Sequence, residues 1–141
     1  MNTGYFENNI HYLTSRIYYY NTDAGGVVYH GRYLDICEIA RTEMIDSIVK
    51  INPDDYKTMS TVVRSLSVEY KKPALLYDII TTKTQIMEVK GASVKIKQTI
   101  LRDSIELVTV NLVIAFVDLT KMVPCRIPED IQIILKKFIS H

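Results

Sequence analysis

The stretch Tyr20-Asn21-Thr22-Asp23-Ala24-Gly25-Gly26-Val27-Val28-Tyr29-His30 decides how the rest of the chain is read, because it joins a β-type segment to a long helix through a glycine-bent loop. Adjacent glycines can take positive φ and let the backbone turn tightly. Asp23 stands just before them, and the helix predicted to begin near Gly31 aims its unpaired N–H groups back toward the loop. A carboxylate beside a helix N-terminus can act on a carbonyl whose oxygen those N–H groups hold. The same aspartate has a purely structural reading, in which it accepts a hydrogen bond from its own backbone or caps a helix.

Working outward, Leu13 to Tyr20 is rich in tyrosine and β-branched residues and is predicted as a first strand. From Gly31 to Lys50, helical spacing puts Tyr33, Ile36, Cys37, Ala40, Met44 and Ile48 on one face. Asp35, Thr42, Glu43, Asp46 and Lys50 fall on the other, which predicts one long amphipathic helix. Asn52-Pro53-Asp54-Asp55 marks a loop after it. Glu38 and Arg41, three apart on the helix, are explained by an ordinary ion pair.

Beyond the loop the period becomes alternating. Leu66, Val68 and Tyr70 interleave with Ser65, Ser67 and Glu69, and Val94, Ile96 and Ile100 with Lys95, Lys97 and Thr99, so each strand should have one wet face. Strands are predicted near Thr61 to Lys71, Tyr77 to Glu88, Ala92 to Arg102 and Ile105 to Asp118, with hairpin turns at Lys90-Gly91 and Asp103-Ser104. Local reasoning would make them a meander. Ile131, Ile134, Leu135 and Phe138 predict a short amphipathic helix between Pro128 and Phe138.

Composition narrows the function classes. A chain of 141 residues with 48% hydrophobic content fits one domain with a real core, residues 1–12 being expected as a mobile lead-in. With 17 Lys and Arg against 16 Asp and Glu, no basic excess points to nucleic acid or to an anionic membrane. No stretch reaches the length of a transmembrane helix, and the N-terminus has no secretory pattern, so a soluble cytoplasmic protein is expected. The two cysteines, Cys37 and Cys125, read as a buried apolar thiol and a loop thiol. There is no Gly-x-Ser-x-Gly elbow, P-loop or dinucleotide fingerprint, and the cysteines and histidines are too scattered for zinc. Catalysis without metal or cofactor is the expectation.

The opening stretch, continued through Gly31-Arg32-Tyr33-Leu34-Asp35-Ile36-Cys37-Glu38-Ile39-Ala40-Arg41-Thr42-Glu43-Met44, resembles the signature of the hotdog-fold acyl-CoA thioesterases. The similarity is to the branch with 4-hydroxybenzoyl-CoA thioesterase and the thioesterases encoded beside the bacterial Tol-Pal system. Val62-Val63-Arg64, Val68-Glu69-Tyr70, Pro73-Ala74 and Asp118-Leu119-Thr120-Lys121-Met122-Val123-Pro124 extend it over most of the chain. The resemblance implies an α+β hotdog fold, a curled antiparallel sheet of about five strands around one long helix. In that topology the first strand after the helix lies at a sheet edge beside the last one, and Lys72 to Leu76 is a crossover.

For the site, the resemblance implies that Asp23 either attacks the thioester carbonyl or deprotonates water. His30 would offer its backbone N–H to the oxyanion or its imidazole to the substrate; a surface histidine without a role is the plain alternative. Of the other two histidines, His11 and His141, both are expected in loose segments. Tyr29 would pack against the acyl group or a dimer partner. Val62, Val63 and Arg64 would line the acyl end of the cleft, although strand packing suffices for the valines. Lys90, Gly91 and Ser93 would surround the coenzyme A phosphates, or Lys90 is a solvated hairpin lysine.

Coenzyme A is then part of the substrate, with acyl carrier protein as another carrier. The assembly would be a homodimer or homotetramer with the site between subunits, supported by the clean alternation of Thr61 to Tyr70, which carries no bulge signal. A hotdog dehydratase and a non-catalytic acyl-CoA-binding module are the alternatives.

Overall fold

The computed structural model describes residues 2–49 and 59–140. The chain runs β1 (Tyr5–Glu7), β2 (Ile10–Arg16), α1 (His30–Val49), β3 (Met59–Tyr70), β4 (Ile79–Val89), β5 (Ser93–Arg102), β6 (Ile105–Asp118), β7 (Val123–Pro124) and α2 (Glu129–Lys137). The strands form one antiparallel sheet in the order β1-β2-β4-β5-β6-β3, with β7 added to the end of β6. This is the curled sheet around a long helix of the hotdog fold. Among the described residues seven strands replace the predicted count of about five, since β1 and β7, three and two residues long, are too short to show a period.

The amphipathic stripe of α1 is as its spacing predicts: Tyr33, Cys37, Ala40 and Met44 are buried against the sheet. Lys50 and the predicted loop at Asn52-Pro53-Asp54-Asp55 lie outside the described residues. Burial in this apolar stripe pushes the Cys37 thiol up to about 12, so it is an inert core group. In α2, Ile131 and Leu135 close one end of the core. Glu129 and Asp130 in its first turn and Lys136 and Lys137 in its last complement the helix dipole.

Strands β4, β5 and β6 form the predicted meander through the Lys90-Gly91 and Asp103-Ser104 turns. Asp103 takes φ 53°, a conformation that Asp and Asn tolerate. The chain then departs from a simple meander, because β3 pairs with β6 from Met59↔Asp118 to Tyr70↔Val108 and so stands at the edge, as the resemblance implied. Clean alternation fails within β3, where the register shifts between Val63 and Ser65 and leaves Arg64 as an extra residue. Thr99, expected on a wet face, is buried opposite Thr109.

Two expectations about the N-terminal region need correction. Residues 5–12 are not a loose lead-in: β1 and β2 form a hairpin through Asn8 and Asn9, both at positive φ, the geometry a two-residue hairpin turn demands. His11 is fully buried there, and its Nε2 lies 2.8 Å from the Thr3 carbonyl. The predicted first strand also ends early. Tyr18, Tyr19 and Tyr20 are exposed, and the chain bends into a 3-10 turn at Tyr19–Asn21. Buried Asn21 fixes the bend, its Oδ1 accepting from the Tyr18 N–H at 2.9 Å, so local capping overrides the β preference of the tyrosines.

Candidate active site

The loop carrying Asp23 is a small closed hairpin. Thr22 and Val28 form an isolated bridge, the Asp23 N–H donates to Val27 O at 3.0 Å, and the Gly26 N–H donates to Asp23 O at 3.1 Å. Gly26 takes φ +76°, which glycine adopts at no steric cost. Asp23 itself is exposed, and its Oδ1 accepts from the Gly25 N–H at 2.9 Å. The Asx-turn reading is therefore met, and it orients the carboxylate rather than occupying it, since a carboxylate has about four lone-pair positions.

This hairpin is tied down by the segment between β3 and β4. The Val28 N–H donates to Ala74 O and the Leu76 N–H to Gly26 O, each at 3.0 Å. The crossover is pinned in turn from the helix: the buried Tyr33 hydroxyl accepts from the Ala74 N–H at 2.9 Å. Burial raises the Tyr33 pKa, which keeps the phenol neutral. On the outer side Asp78 Oδ2 accepts from the Leu75 N–H at 2.8 Å and from Arg102 Nη1 at 2.6 Å. Asp23 is thus placed by core and crossover contacts.

His30 is the first residue of α1, so its N–H belongs to the set with no acceptor inside the helix. Its exposed ring lies 4.9 Å from the ring of Tyr70 and 6.2 Å from that of Tyr29, and its carbonyl accepts from Tyr70 Oη at 3.3 Å. Tyr70, at the end of β3, is a member of this cluster that sequence reasoning missed. Alternation assigned it to a strand face, and no local signal links it to a helix start 40 residues earlier.

The other predicted residues lie in two separate places. Val62 and Val63 line a cleft of about 550 Å³ between the second half of α1, the start of β3, the sheet and α2. Neither Asp23 nor His30 lines it, and Arg64, displaced at the bulge, does not either. Lys90, Gly91 and Ser93 form the β4–β5 turn, closed by the Lys90 N–H donating to Ser93 O at 2.8 Å. Ser93 is buried, and Lys90 Nζ lies 3.8 Å from Glu88. Arg126, which sequence reasoning missed, covers this turn: a Cβ on Gly91 would stand 3.3 Å from its Nη1. The Ile127 N–H straps the Arg126 segment down by donating to Gly91 O at 2.8 Å.

The expected Glu38–Arg41 pair is not what the helix makes. Arg41 Nη1 donates instead to Gln98 Oε1 at 3.0 Å, because Arg41 turns inward toward the sheet while Glu38 stays exposed.

A curled antiparallel sheet around one long helix is the hotdog fold. A family model described as the thioesterase-like superfamily matches residues 19–135, and the chain belongs to that superfamily of enzymes. It is 37% identical over 119 residues to the acyl-CoA thioesterase YbgC of Haemophilus influenzae, covering 83% of this chain and 88% of that protein. A probable thioesterase from Bartonella henselae superposes with a TM-score of 0.78 at 31% identity, over 84% of this chain and 99% of that one. A Staphylococcus aureus protein solved in complex with CoA shares the fold, with a TM-score of 0.85 at 10% identity over 96% of this chain and 87% of that one.

Proposed function

We propose that the chain hydrolyses acyl-CoA thioesters, with Asp23 as the reacting carboxylate. The observation that carries this reading is the exposed Asp23 side chain, oriented by the Gly25 N–H on a loop tied to the start of α1. The names of the relatives support the substrate class. In one route the carboxylate adds to the thioester carbonyl, the C–S bond breaks, coenzyme A leaves as the thiolate, and water then hydrolyses the acyl anhydride. In the other, Asp23 takes a proton from water as that water attacks. Both routes build negative charge on the carbonyl oxygen, and the N–H groups at His30 and Gly31 are the donors for it.

The site is completed by a second copy of the chain. A two-fold axis near the middle of β3 sets the first half of one β3 against the second half of the other. Val62 and Val63 at the cleft of one copy then come beside Tyr70 and His30 of its mate. The acyl group enters that cleft, and Lys90 with Arg126 pairs with the phosphates of coenzyme A.

Asp23→Asn retains the acceptor for the Gly25 N–H while removing the charge. Thiol release from an acyl-CoA panel is expected to fall by about a hundredfold or more with unchanged thermal unfolding. Near-normal turnover would remove Asp23 from the reaction. Lys90→Ala is expected to raise KM for a coenzyme A thioester about tenfold and to leave a pantetheine thioester unaffected. Equal effects on both would exclude a phosphate contact.

A further inference from the structure

The hydrogen bonds around the start of α1 leave two backbone donors free, and one residue of β3 acts on the peptide group between them. The Tyr29 N–H donates to Asn21 O at 3.2 Å and the Arg32 N–H to Tyr29 O at 2.9 Å. His30 and Gly31 lie between these two, and among the described residues neither of their N–H groups has a backbone acceptor. Gly31 brings no side chain to cover its own donor.

Tyr70, opposite buried Val108 at the end of β3, reaches this point from the sheet. Its hydroxyl donates to the His30 carbonyl at 3.3 Å, and its ring lies 4.9 Å from that of His30 and 5.8 Å from that of Tyr33. Tyr33 in turn holds the Ala74 N–H, so the Tyr70 ring stands between the helix start and the side chain that pins the crossover. A hydroxyl has one proton to give, and this one is committed to the His30 carbonyl.

The His30 carbonyl and the Gly31 N–H are the two ends of one peptide group, joined by amide resonance. A donor on the carbonyl oxygen draws electron density from the nitrogen, and each such bond strengthens the next in a chain by about 10–30%. The Gly31 N–H is thereby made a stronger donor. That gain is greatest when its acceptor carries negative charge, which a thioester oxygen does only as the carbonyl is attacked.

We infer that Tyr70 is a positioning residue for the hydrolysis: its hydroxyl aligns and polarises the His30–Gly31 peptide so that the Gly31 N–H stabilises the oxyanion. The inference rests on the hydrolytic reading of Asp23 and the α1 start, and names the side chain that tunes the donor. Tyr70 acts through the peptide and does not itself pass a proton to the substrate.

The test is Tyr70→Phe in the full chain, which keeps the ring and deletes the hydroxyl. For a coenzyme A thioester, kcat is expected to fall about tenfold with KM unchanged, the pattern of an interaction made only in the transition state. The pH profile of kcat should keep its shape. An unchanged kcat, a rise in KM alone, or loss of an alkaline limb of the profile, which would make the hydroxyl an acid, overturns the inference. A second readout needs no turnover. In the chain labelled with 15N-glycine, the Gly31 amide nitrogen should move upfield in Tyr70→Phe, because the donor on the preceding carbonyl is gone, while Gly91 at the far end of the sheet stays in place. A Gly31 resonance that does not move overturns the inference as well. Asp23→Asn separates the two readings: thiol release retained in that variant sinks hydrolysis at Asp23, whereas an inactive Asp23→Asn beside a fully active Tyr70→Phe sinks the role of Tyr70 alone.

Discussion

At one end of the sheet β1 runs for three residues, and at the other β3 runs for 12. The short edge leaves few backbone groups unpaired, and beside it Phe6 packs 5.0 Å from the His11 ring and 4.9 Å from that of Phe138, the residue after α2. The long edge is bare among the described residues, with Val62, Val63, Leu66 and Tyr70 each at least 40% exposed. An isolated chain protects its edges by shortening, twisting or covering them. Strand β1 shows the first of these devices, and β3 has only the bulge at Arg64. One edge is short, and the other is long and left bare among the described residues.

The difference can be broken most severely at β3. Val63→Lys with Leu66→Lys places like charges along the exposed edge, and two copies of that edge should no longer pair. The outcome expected is a folded monomer by light scattering with thiol release reduced about a hundredfold. A monomeric parent with full specific activity would overturn the shared-site arrangement.

At the short edge the expected effect is on stability and not on assembly. Phe6→Ala removes a half-buried ring from the contact with His11 and Phe138 and should cost about 2 kcal/mol in urea unfolding while the molecular mass in solution stays the same. An effect on assembly as large as that of the β3 variant would erase the distinction between the edges.

The smallest effect expected is a pH dependence confined to the short edge. Burial lowers the His11 pKa from 6.5, with the Thr3 carbonyl and the Glu43 charge opposing. The unfolded chain therefore binds the proton more readily, and this contribution to stability is present above about pH 6.5 and is lost as pH falls toward the folded value. The urea midpoint of the parent should drop between neutral and mildly acidic pH. His11→Gln should show a shallower slope, and an identical slope would exclude His11 as its source.

The parts of this molecule that were legible in its sequence are those whose signal is local. The α1 stripe from Tyr33 to Met44 repeats at helical spacing, and the β4 to β6 meander is punctuated by turns that residue chemistry names. Asp23 was legible as an oriented carboxylate because the glycines that bend its loop are its neighbours. What escaped is carried by contacts between distant positions: Tyr70 on the His30 carbonyl, Arg126 over Gly91, and Arg41 on Gln98 at a separation of 57 residues. A helical pair three apart is only an opportunity, and Arg41 took the acceptor that burial placed on the facing sheet. The N-terminal hairpin escaped for another reason, since two left-handed asparagines and a three-residue strand leave too short a pattern to show a period.

The hydrogen bond between the Ala74 N–H and the Tyr33 hydroxyl has a consequence for how this enzyme could change over generations. Both residues are buried, and neither lies on the loop that bears the acid. Because the crossover they fix also holds Val28 and Gly26, a small repacking around them moves Asp23 as a lever moves its far end. Drift in the interior is thus converted into altered reach at the surface. A random-mutagenesis screen for changed substrate preference should accordingly return variants around Tyr33 and Ala74, positions that a map of surface residues would pass over.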